Sequence, residues 1–202
     1  MKPVRLAILG LGTVGGGALK LLQENAAEIR RRTDREIQIT HVGTRRPRPD
    51  LNLADSVKQS ADLMEIVRQP DVDVVVEVMG GIHPAYELIM EAMKHGKHVV
   101  TANKALLAEH GTALFKAADE YKVQIAYEAA VAGGIPIIKV IREGLAANRI
   151  DWLAGIINGT GNFILSEMRE KGRTFEDVLK EAQELGYAEA DPTFDVEGID
   201  AA

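Results

Sequence analysis

The chain contains no cysteine among its 202 residues. That excludes disulfides, thiolate metal sites and every mechanism built on a thiol nucleophile. It agrees with a reducing compartment, and a cytoplasmic location is the expectation. No apolar run approaches the length of a membrane span, so no membrane partner is expected. Met1-Lys2-Pro3 leads straight into a strand-like stretch and leaves no room for a signal peptide. An excess of basic charge is also missing: the net charge is −6, which argues against a general nucleic-acid role. The histidines show no spacing suited to a metal, and neither an internal repeat nor a low-complexity tract is present. A content of 46% hydrophobic and 27% charged residues is ordinary for a globular protein. The length suffices for one domain, or for one domain and part of another.

What is present is concentrated near the N-terminus. Val4-Arg5-Leu6-Ala7-Ile8-Leu9 reads as a buried strand, and it runs into Gly10-Leu11-Gly12-Thr13-Val14-Gly15. A helix is expected from about Ala18. In a G-x-G-x-x-G turn the first glycine permits the tight bend. The second admits a diphosphate close to the backbone, and the third lets helix pack on strand. The helix then offers free N–H groups and the positive end of its dipole to phosphate. Gly10, Gly12, Thr13, Val14 and Gly15 are therefore the candidate dinucleotide-binding residues.

The rest of the chain alternates. Strands are expected at Ile37–Val42, Val72–Val78, Lys97–Thr101 and Val123–Tyr127. Helices are expected at Asp62–Val67, Pro84–His95 and Ala105–Tyr121. Glu28 to Arg35 reads as a solvated helix end and loop. Regular β/α alternation implies an α/β fold, a Rossmann-type doubly wound parallel sheet covered on both faces. The pattern changes at Gly133-Gly134. A helix from Pro136 to about Asn148, a strand at Ile150–Ile157 belonging to a different sheet, and an N-capped helix from Thr174 to Leu185 are expected there. The domains are accordingly placed at 1–134, binding dinucleotide, and 135–202, part of a second α+β domain for substrate binding and dimerisation.

A strand that binds an NAD ribose usually ends in a carboxylate. Here Ile37–Val42 is followed by Gly43-Thr44-Arg45-Arg46. An arginine in this place accommodates a 2′-phosphate, bidentately where geometry allows. NADP(H) is favoured over NAD(H), with Arg45 and Arg46 as phosphate ligands. The alternative is that both are solvated loop charges.

Several separate strings fit one family. They are Gly10–Gly15, Thr101-Ala102-Asn103-Lys104, the stretch from Tyr127 to Pro136, Asn158-Gly159-Thr160-Gly161-Asn162, and the run from Gly186 through Asp200. With these the chain resembles homoserine dehydrogenase. The resemblance implies hydride transfer between NADPH, or NADH, and aspartate β-semialdehyde, giving L-homoserine. It implies a role in amino-acid biosynthesis (threonine, methionine and isoleucine). It also implies a small-molecule substrate and a homodimer in the intact protein.

By the same resemblance Lys104 lies at the substrate end of the nicotinamide pocket, orienting the carbonyl and donating a proton. Glu189 binds the substrate ammonium, Asp195 assists, and Asp200 lies near the reacting oxygen. Glu128, with backbone carbonyls of Val131 and Gly133, would hold a sodium ion, as oxygen donors suit hard cations. Asn158 falls in the substrate string. Thr160 and Asn162 would bind the substrate's carboxylate or carbonyl, or else cap the following helix. Glu77, near the end of its strand, has two readings, one facing the cofactor and one facing solvent, and the solvent-facing one is preferred. Each of these residues also has an ordinary reading: a surface lysine, an acidic loop before a helix, a strand-end glutamate paired with a cation.

In that family a lysine follows the counterpart of Asp200 by about one helical turn and serves as general acid/base. The sequence ends at Ala202, before that position. A fragment that binds dinucleotide better than it catalyses is the expectation. The competing possibilities are a non-catalytic dinucleotide-binding module and another NAD(P)-dependent dehydrogenase on the same scaffold.

Overall fold

The computed structural model describes residues 2–46, 48–188 and 191–201. It divides into two compact units, Met1–Ala146 and Ala147–Ala202.

The first unit is built on six parallel strands. They are β1 (Val4–Leu9), β2 (Ile37–Gly43), β3 (Lys58–Ser60), β4 (Val74–Glu77), β5 (His98–Thr101) and β6 (Ile125–Ala126), in the order β3-β2-β1-β4-β5-β6. The helices between them are α1 (Thr13–Glu24), α2 (Ala26–Thr33), α3 (Leu63–Arg68), α4 (Ala85–Lys94) and α5 (Lys104–Tyr121). β1 explains why both faces are covered. Ala7 and Leu9 join the core made with α3, α4 and α5, whereas Ile8 points to the opposite core with Leu19 of α1 and Val42 of β2. A parallel strand buried on both sides must be apolar throughout, and β1 and β4 are nearly so. The Rossmann-type α/β class read from the sequence is the class observed.

Helix ends follow local chemistry. Asp62 caps α3 by accepting the Glu65 N–H at 2.9 Å, and Asn103 caps α5 by accepting from Leu106 at 3.1 Å. Gly96, at φ +71°, lets the chain turn sharply after α4. The stretch read as a solvated helix end and loop forms α2, with no buried residue. β3 was not foreseen. It is polar and exists by pairing with His41–Gly43 of β2.

After β6 the chain makes a short 3₁₀ turn at Glu128–Ala130. It continues into α6 (Ile137–Lys139) and a π-helical turn at Val140–Gly144. The expected continuous helix to Asn148 is thus replaced by these two pieces. This segment belongs to the first compact unit, whose limit at Ala146 falls twelve residues beyond position 134.

In the second unit the expected strand at 150–157 is absent: the segment has no regular structure and no ladder partner among the described residues. An extended segment becomes a strand only by pairing, and Trp152, Leu153, Ile156 and Ile157 are exposed. The described secondary structure of this unit is helical: α7 (Gly159–Lys171), α8 (Phe175–Glu184) and α9 (Thr193–Val196). Ile164, Val178, Ala182 and Ala188 form its core. Thr174 caps α8 through the Asp177 N–H, and Gly186 at φ +75° closes it, as expected.

Candidate dinucleotide site

β1 has β2 on one side and β4 on the other, so the connections leaving the carboxyl ends of β1 and β4 run to opposite sides of the sheet. Open α/β sheets bind ligands in the crevice at that point. The turn that follows β1 is bracketed on both sides. Gly10 N–H donates to the Gly43 carbonyl at 2.9 Å, and Val78 N–H donates to the Leu9 carbonyl at 3.0 Å.

The three glycines have different surroundings. Gly10 sits at φ +97°, and a Cβ there would lie 2.9 Å from the Val78 carbonyl oxygen. Gly15 is buried against the same turn. Gly12 is exposed, and a Cβ on it would meet nothing within 4 Å. Two glycines therefore serve internal packing, and the third keeps an outward face of the loop bare. Gly12 is the N-cap of α1 and supplies no side-chain cap, while the first turn carries no acidic residue. The helix presents unneutralised N–H groups and a positive dipole end. Thr13 and Val14 are exposed beside it. The donor set and the bare glycine fit the diphosphate of a dinucleotide.

Beyond β2, Thr44 shapes the loop by donating its hydroxyl to the Arg46 carbonyl at 2.7 Å. Arg45 and Arg46 are exposed there. Arg48, expected with Arg45 and Arg46 to form the local basic site for an anionic cofactor, is instead drawn back to the glycine turn. Its guanidinium forks onto Asp50 at 2.8 and 2.6 Å and also donates to the Leu11 carbonyl. The spacing of Arg48 from the glycines gave no sign of this contact.

Lys104 is the first residue of α5, immediately past the carboxyl end of β5, and is exposed. A cation at a helix N-terminus opposes the dipole, a local conflict of the kind that marks functional positions. Glu77 corrects the sequence reading. It is fully buried at the end of β4, because a central parallel strand has neighbours on every side and Thr101 of β5 offers its carboxyl a hydroxyl.

Glu128 accepts the N–H groups of Ile138 at 3.0 Å and Lys139 at 2.9 Å, which makes it the cap of α6. Each carboxyl oxygen retains a further lone pair. Val131 and Gly133 lie on the exposed stretch between. Among the described residues no three His, Cys, Asp or Glu side chains are grouped as metal ligands.

In the second unit Asn158 gathers two of the acidic candidates. Its amide donates to Asp195 at 2.7 Å and to Asp200 at 2.9 Å, while its oxygen accepts the Gly161 N–H at 2.5 Å. Asn158 is thus the cap of α7, the role read as open for Thr160 or Asn162. Thr160 is buried and donates to the Tyr187 carbonyl at 2.6 Å, a structural bond. Glu189 lies outside the described residues.

Sheet order, glycine turn and bare helix N-terminus together define a dinucleotide-binding domain of the doubly wound α/β class. Residues 10–128 match the NAD-binding domain of homoserine dehydrogenase, and residues 136–202 match the homoserine dehydrogenase domain proper. The chain belongs to the homoserine dehydrogenase family. It is 63% identical to the homoserine dehydrogenase of Pseudomonas aeruginosa and 59% identical to that of Neisseria gonorrhoeae, each across the whole chain. The crystal structure of the Thiobacillus denitrificans homoserine dehydrogenase superposes over all of it with a TM-score of 0.89 at 59% identity, covering 47% of that chain. A hyperthermophilic archaeal homoserine dehydrogenase in complex with NADPH superposes over 99% of it, and over 66% of its own chain, at a TM-score of 0.81 and 30% identity. The chain spans about half the length of the curated relatives it matches, 46% in both bacterial cases. No described helix is long and apolar enough to cross a membrane.

Proposed function

We propose that this chain supplies the cofactor site and the first part of the substrate site of an enzyme interconverting aspartate β-semialdehyde and L-homoserine. The observation that carries this reading is the bare glycine turn at the switch point of the sheet, with Lys104 at the carboxyl end of β5. When bound, the reduced nicotinamide supplies the hydride that reaches the aldehyde carbon. The chain's residues hold the diphosphate over Gly12 and the start of α1. They bind the cofactor's 2′-phosphate at Arg45 and Arg46, making NADP(H) the preferred form. Lys104 orients the carbonyl and gives the oxygen a proton as it becomes a hydroxyl. Glu189 receives the substrate ammonium with the help of Asp195, and Asp200 lies near the reacting oxygen. Asn158 sets the two aspartates, and Thr160 holds the turn that follows α8.

A sodium ion at Glu128 and the carbonyls of Val131 and Gly133, a homodimer in the intact protein, cytoplasmic residence and a functional boundary near 134 complete the proposal. The matched segments, ending at 128 and beginning at 136, support that boundary. The test is a protein that continues this sequence through the length of its relatives. It is expected to oxidise NADPH only when aspartate β-semialdehyde is present. Turnover of a different aldehyde with none of this one, or no turnover with either nicotinamide cofactor, overturns the reading.

A further inference from the structure

Glu77 is fully buried at the end of a strand whose preceding residues are Val74, Val75 and Val76. A fourth apolar residue would fill that place without desolvating a carboxyl group. What the carboxyl does instead is connect loops. Its Oε1 accepts the Met79 N–H at 2.9 Å, and its Oε2 accepts the Thr101 hydroxyl at 2.7 Å. Thr101, its direct partner across the β4–β5 ladder, in turn accepts the Asn103 N–H at 3.0 Å. Asn103 is buried too. Its Oδ1 caps α5 through Leu106, and its Nδ2 donates to the Gly81 carbonyl at 2.6 Å. One carboxyl group thus ties the loop after β4 to the loop after β5, and the second loop ends in Lys104.

We propose that Glu77 is a positioning residue for the nicotinamide half of the cofactor, acting through Thr101 and Asn103 on the Met79–Gly81 loop and on the first turn of α5. This rests on the reading that a nicotinamide dinucleotide lies across this edge of the sheet. The diphosphate end is held by a different turn, which the relay touches only where the Met79 backbone packs on Gly10, so the relay's larger effect falls on the nicotinamide half of the ligand.

The test compares two probes on the same chain: NADPH, and adenosine 2′,5′-bisphosphate, which carries the adenine half alone. Thr101→Val removes the hydroxyl and leaves the Glu77 oxygen and the Asn103 N–H unpaired. It is expected to weaken NADPH binding about 10-fold and to leave the bisphosphate within about 2-fold. Thr101→Ser, which restores the hydroxyl, is expected to recover NADPH affinity. Should the valine variant not fold, Glu77→Gln decides on the same two probes, since an amide keeps the volume but loses one acceptor. Its expected result is a several-fold loss for NADPH alone. Unchanged NADPH affinity, or equal loss of both probes, overturns the proposal by making the relay inert or merely structural. A wild-type chain that binds the bisphosphate but not NADPH also overturns it. Binding of neither probe removes the cofactor reading beneath it as well.

Discussion

A methyl group on Gly15 would lie 1.9 Å from the carbonyl oxygen of Gly10. The two glycines close the turn on itself, and no side chain fits between them. Gly15→Ala must open the turn, and we expect it to destabilise the fold by about 1–3 kcal/mol, as overpacking does. Gly12→Ala is different. Its backbone at φ −71° is ordinary, and the added carbon meets nothing. Its stability should stay within about 1 kcal/mol of the parent, while dinucleotide binding falls by at least about 10-fold. Thermal unfolding with a coenzyme titration separates the two. Equal behaviour of the two variants would contradict the division of roles.

Arg45 and Arg46 lie on the exposed loop after β2. A charge-assisted contact to a 2′-phosphate contributes roughly 1.5–3 kcal/mol. Arg45→Ala is expected to lower NADPH affinity by about 10-fold or more and leave NADH affinity nearly unchanged. Preserved preference in both single variants and in the double variant would remove the phosphate assignment.

Much of the first unit was legible because its strands are apolar runs set between helices with recognisable ends. β1, β2, β4, β5 and α5 fall within a few residues of expectation. β3 escaped because Lys58-Gln59-Ser60 has no apolar alternation and its strand character comes wholly from β2. The segment 150–157 misled for the opposite reason: it has the composition of a strand and, among the described residues, no ladder partner to make it one. At the site, the glycine turn could be read directly because its spacing encodes backbone demands. Glu77 could not, since its burial depends on Thr101, twenty-four residues away on the neighbouring strand. Nor could the cap of α7, where Asn158 was chosen by its contacts with Asp195 and Asp200 rather than by position alone.

Arg5 and Asp73 tie the amino ends of β1 and β4, at 2.9 and 2.7 Å. The Arg5 guanidinium holds the Asp73 carboxyl down to about 2, from an ordinary 3.8. A lowered folded-state value means that this contribution is present above pH 3.8 and is lost as pH falls through about 2. Both groups are more than a third exposed, so the effect is modest. Arg5→Met should lose stability at neutral pH and converge on the parent toward pH 2. A constant difference across that window would contradict the pairing.

Asn158 holds two carboxylates and a helix end at once. Asn158→Ala is expected to cost about 1–3 kcal/mol through the lost cap and the lost hydrogen bonds to Asp195 and Asp200. Asn158→Asp keeps the cap but places a third carboxylate beside Asp195 and Asp200, so its deficit should shrink in acid. Denaturant midpoints at neutral and acidic pH test this. A deficit for the aspartate variant that does not vary with pH would show that the three groups are not in contact in solution.

The position of the diphosphate is the central claim, and a crystal structure of this chain soaked with NADPH tests it most directly. The predicted result is a diphosphate over Gly12 at the start of α1, the 2′-phosphate against Arg45, and the nicotinamide ring at the Glu77–Thr101 end of the sheet. A nucleotide lodged elsewhere on the molecule, with the Gly12 face of the turn bare, would contradict it.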